Sequence, residues 1–184
     1  ALTTTQAAGL GANQASGLTT DAAKAMDSAG IGQLNVIAVA SLTTSAVQVL
    51  SSSQLGGMTS TQVGALTAAQ VASLTSSQLN SMGSSQAQGL TAVQLSALSS
   101  ASLATLGTQA VAALAAKSFI GLRTNQVNAL TSSQVQALTT TQAAGLAPAQ
   151  AAGFGSSQLA ALNSSDLSSL SASAVLSINA GAFS

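Results

Sequence analysis

Large apolar residues recur at every eighth position from Leu2 to Ile178, and no insertion or deletion shifts the phase. The column is leucine at Leu66, Leu74, Leu90, Leu98, Leu130 and Leu138, and falls to Met, Phe or Ile at only a few sites such as Met58, Phe154 and Ile178. Five residues after each member stands a second apolar position, filled by Val63, Val71, Val127 and Val135 and, in weaker units, by Ala7 and Ala143. The 184 residues are therefore 23 octads of eight, read as one continuous array over 1–184 with the two columns as its core.

The consensus Leu-Thr-x-x-Gln-Val-x-Ala, nearly pure from Leu66 to Ser73 and from Leu130 to Ala137, opens with a helix-start signal. A Thr or Ser followed three residues later by Gln is a capping box, in which the hydroxyl accepts from a first-turn amide and the Gln side chain returns to the cap's own N–H. Thr67 with Gln70, Thr75 with Gln78 and Thr131 with Gln134 fit it. The single proline, Pro148, falls on the first helical residue, where its missing N–H costs least. Glycines such as Gly9, Gly57, Gly89, Gly121 and Gly153 directly precede the repeating apolar residue, where a corner needs positive φ or close packing.

These signals predict a solenoid of short α-helical turns joined by tight corners. One long helix does not fit, because spacings alternating five and three drift by roughly 80° per octad around a 3.6-residue helix. A β-solenoid is the alternative, since Thr and Val favour strands and stacked Gln can form ladders. Its weakness is that odd spacings cannot hold both columns on one face of a strand without a corner.

Composition changes the picture at one point: charged residues make up only 3% of the chain and the net charge is zero. Lys24, Lys117 and Arg123 are too few and too scattered for nucleic acid. A neutral surface of Ser, Thr and Gln does nothing to oppose self-association. The most hydrophobic run, Ile31 to Leu50, is interrupted by polar residues and does not predict a membrane span. With no His or Cys, and Asp21, Asp27 and Asp166 the only acids, general acid–base pairs, nucleophile triads and metal sites lack parts, so no catalytic residue, cofactor or metal is expected. Asp21 and Asp27 alone would make a poor Ca²⁺ site.

The Leu-Thr-x-x-Gln octads resemble degenerate repeats carried by very large secreted or surface proteins of Gram-negative bacteria, some described as adhesin-like. The resemblance spans the whole chain and implies an extracellular or cell-surface structural role without supplying functional residues.

Two stretches depart from the consensus. In Asp21 to Val49 and in Ala101 to Asn125 the Gln column gives way to Ala, Gly or Ser, and extra apolar residues appear, among them Ile31, Ile37, Val39, Phe119 and Ile120. They read either as contacts between subunits or as drift in columns that face other coils of the same chain. Because 184 is a whole number of octads, a copy placed after Ser184 would continue the column in phase. That predicts a head-to-tail homopolymer with Ile178 and Phe183 at the joint, and hence a self-assembling filament. Rows of Thr, as at Thr3 to Thr5 and Thr139 to Thr141, support a second class, binding of ice or glycans.

Overall fold

A computed structural model describes residues 2–119 and 121–178. Ile120, at the first weak stretch's counterpart, and Phe183, at the expected joint, lie outside the described residues. Among the described residues there are 22 helices, from Thr4–Ala8 to Ala172–Ser177, and no strand. The octad is a helix plus a corner, which settles the choice between helical and β-solenoids for the former.

The corner is built from two extended residues. Leu66 (φ −57°, ψ 139°) ends one helix and Thr67 (φ −68°, ψ 157°) caps the next. Both sit near polyproline geometry, so the chain turns without any residue in the left-handed region. The Thr67 hydroxyl accepts from the N–H of Gln70, and the Gln70 side-chain oxygen accepts from the N–H of Thr67 at 2.6 Å. Thr75 with Gln78 and Thr131 with Gln134 repeat the reciprocal pair. Pro148 opens the helix Pro148–Ala151 as its position predicts.

Short helices of this length are unstable alone and hold only by packing. Most pack against the helix three octads before and the helix three octads after, as Ser60–Ala65 does against Val36–Ser41 and Ser84–Gly89. Its N-terminal half also reaches back four octads: the Gln62 side chain bonds the carbonyls of Ile31 and Leu34, 31 and 28 residues earlier. From the second coil on, a helix therefore lies across the joint between two octads of the coil beneath, as bricks do in a wall. The coil closes after about three and a half octads, roughly the 28 residues of that bond. Both columns face inward, and from Met26 to Val135 the described members are buried, Val71, Leu79, Leu95, Leu103 and Val127 completely.

Glycine serves close approach and not left-handed backbone. Gly9, Gly17, Gly57 and Gly145 have φ between −86° and −75°, and no described glycine has a positive φ. At Gly57, Gly89, Gly121 and Gly153 the C-terminal end of one helix lands on the first turn of the helix three octads before. A Cβ on Gly89 would stand 2.0 Å from the Ser60 carbonyl oxygen and 2.9 Å from its Cα. Backbone cannot yield there without separating two helices. We expect Gly89→Ala to cost about 1–3 kcal/mol, as overpacking does. Gly56→Ala, one residue before the corner glycine Gly57 and with nothing within 4 Å of its Cβ, should leave stability unchanged or raise it by up to about 1 kcal/mol. Thermal melts of the two variants check the pair, and equal melting temperatures would remove close approach as the reason for the glycine.

Candidate functional site

The most heavily repeated interaction in the molecule is made by the column of glutamines. Oε1 of Gln134 accepts from the N–H of Thr131 at 2.9 Å and so caps its own helix. Its Nε2 donates to the carbonyls of Leu103 at 3.0 Å and Leu106 at 2.7 Å, in the coil beneath. Gln70, Gln78, Gln94, Gln126 and Gln142 repeat the arrangement, always with steps of 31 and 28 residues. These side chains are buried, and no buried side-chain nitrogen or oxygen among the described residues lacks a partner. A primary amide suits this place because it has an acceptor and two donors on one rigid plane.

Capping alone would be met by Glu as well as Gln, and Glu is favoured by the positive end of a helix. The chain nevertheless has no Glu, and its capping boxes close on Gln every time. The amide donors explain the choice. A carboxylate at that place would aim an oxygen at two carbonyl oxygens out of reach of water. Reasoning from sequence assigned these glutamines to capping, and the exclusive use of Gln was the signal of their second role.

Where Gln is missing, other groups take over part of its work. Ala38 stands in the column, and Asn35, the cap of the same helix, donates from Nδ2 to the Leu10 carbonyl at 2.7 Å. Ser118 donates from Oγ to the Leu90 carbonyl at 2.7 Å, keeping the 28-residue step. Asp166, buried in the same column, is held by the Nδ2 of its own cap, Asn163. Asp27 is also a cap, accepting from the N–H of Gly30 at 2.6 Å.

The proposed core residues Leu66, Leu74, Leu90, Leu98, Leu130, Leu138, Val63, Val71, Val127 and Val135 are all buried. Of the residues offered as contacts between subunits, Ile31, Val39, Phe119 and Ile178 are buried within their own chain. They fill the two columns, so the weak stretches there face other coils of the same molecule, the second of the two readings. Among the described residues of that group Ile37 alone is exposed, at 63%. Among the described residues no cluster of three His, Cys, Asp or Glu side chains comes together, and no described helix is long and apolar enough to cross a membrane.

In the first and last described octads the bridging pattern is incomplete. Gln6 and Gln14 cap their helices through Oε1, at 2.9 and 2.8 Å, but their Nε2 groups find no partner among the described residues and are exposed. In the last described octads Leu167 and Val175, members of the second apolar column, are each 43% exposed. No family model, curated protein or solved structure matches the chain.

Proposed function

We propose that the protein is a structural element, a rod-forming segment of an extracellular or surface fibre. The observation that carries this reading is the sameness of the coil-to-coil contact: a coil offers carbonyls upward, as Leu103 and Leu106 do, and reaches downward with glutamine amides, as Gln134 does. Such an interface adds units along one axis without limit, which is what a fibre requires and what a binding cleft does not.

The bonds that hold the coils are neutral. Amides and hydroxyls, which carry no charge at neutral pH, make the bridges and most caps, the carboxylates of Asp27 and Asp166 excepted. Packing of this kind is insensitive to the pH and salt of the surroundings, which supports a place outside the cell. The resemblance of the octads to those of large bacterial surface proteins supports the same place.

Negative-stain images of the purified chain test the reading. Straight particles of constant width, longer than they are wide, are expected at low concentration. Round particles would overturn it.

A further inference from the structure

We infer that the turn of coil from Ser99 to Phe119 is a built-in yielding joint, where the coils part more readily than they do between glutamine-bridged turns. From Gln54 to Gln94 every octad carries a glutamine whose amide donates to the carbonyl 28 residues back. From Gln126 to Gln158 every octad does so again. Between the two runs the same column reads Ser102, Ala110 and Ser118. The steps of 31 and 28 residues lead from these three to the carbonyls of Val71 and Leu74, of Leu79 and Met82, and of Ala87 and Leu90. Of the six, Leu90 alone receives a hydrogen from a side chain among the described residues, that of Ser118.

The packing agrees with the hydrogen bonds. Ser100–Ala104 rests more loosely on the helix three octads before it, Ser76–Asn80, than any other described helix does on its counterpart. A cleft of about 400 Å³ opens between the two, lined by Ser76, Ser77, Asn80, Ala104, Thr105 and Leu106. Ser102 does not span it, because its Oγ is held by the Ser99 hydroxyl of its own octad at 2.8 Å. Carbonyls without a protein donor lose the hydrogen bonds that tie one coil to the next, and a cleft gives water a way between the faces. The helix Ala92–Ala97 is held from both sides: its own Gln94 reaches down to Val63 and Leu66, and Gln126 reaches down from above to Leu95 and Leu98. The gap therefore opens about that helix, while the bridged turns below and above stay closed. A rod built in this way bends at one turn and spares the stiff blocks on either side.

Amide hydrogen exchange on the full 184-residue chain tests the joint. Leu79 and Leu103 stand on its two sides, and each N–H donates to the carbonyl of its own helix cap at 2.9 Å. Val63 and Val127 make the same bond at 3.0 Å, in octads that glutamines bridge both below and above. With the local bond alike in all four, a difference in protection reports the coil contacts. Leu79 and Leu103 should exchange on the order of tenfold to a hundredfold faster than Val63 and Val127. Ser102→Gln supplies the missing amide beside the cleft and should slow both on the order of tenfold. Ala101→Gln, at an exposed site on the same helix, should leave them unchanged. Equal protection of the four amides in the unaltered chain overturns the joint, whether or not the variants fold. Fast exchange at Leu79 and Leu103 that responds to Ala101→Gln as it does to Ser102→Gln overturns it too, because the absent bridge would not be the cause.

Discussion

The Gln134→Glu chain is expected to lose about 3–5 kcal/mol of stability, which is the scale of a buried charge left without a partner. The change is nearly isosteric and keeps the capping oxygen that accepts from Thr131. What it removes is Nε2, which donates to both Leu103 and Leu106. In its place a carboxylate oxygen would face two carbonyl oxygens at 1% exposure, where water cannot intervene. The same substitution at Gln6, whose amide is exposed, should leave stability within about 0.5 kcal/mol and even gain slightly from the helix dipole. Denaturant titration of the two variants gives the comparison. If both were equally harmless, the glutamines would be caps and nothing more.

Leu74→Asp should be as damaging, for a different reason. Leu74 is 5% exposed in the column of repeating leucines. Removing a buried leucine side chain costs about 2–5 kcal/mol, and placing an unpaired carboxylate in the space adds a penalty of several more. Since each helix holds only through its neighbours in the coils above and below, the loss should spread to the octads that rest on the altered one. Val93→Asp alters an apolar residue of similar character that is 68% exposed, and should change little. Melting followed by far-UV circular dichroism distinguishes the two. An unaltered melt for Leu74→Asp would remove the leucine column from the core.

The octad, the helices, their caps and both core columns were legible in the sequence because each is fixed within eight residues. The Thr67 to Gln70 box and the place of Pro148 depend only on neighbours along the chain. The number of octads per coil was not legible. It depends on which joint of the coil beneath a helix rests upon, and that is decided by contacts 28 and 31 residues apart, such as those of Gln62. The glycines show the same division. Their place before the repeating Leu could be read, but whether positive φ or close approach demanded Gly89 depended on Ser60 in another coil. Sequence alone leaves Ile31, Val39 and Phe119 open between contacts with another subunit and contacts with other coils of the same chain for the same reason, since the coils that cover them lie far away in the chain.

The account stands most directly on the glutamine bridge, and nuclear Overhauser contacts from the side-chain amide protons measure it. The Nε2 protons of Gln94 should show strong contacts to Leu66, 28 residues earlier, and to Val63, 31 residues earlier, at sites where both bonds are under 3.0 Å. Gln126 should show the same to Leu98 and Leu95. Amide contacts confined to residues of their own or the adjoining octad would contradict the stacked coil and everything built on it.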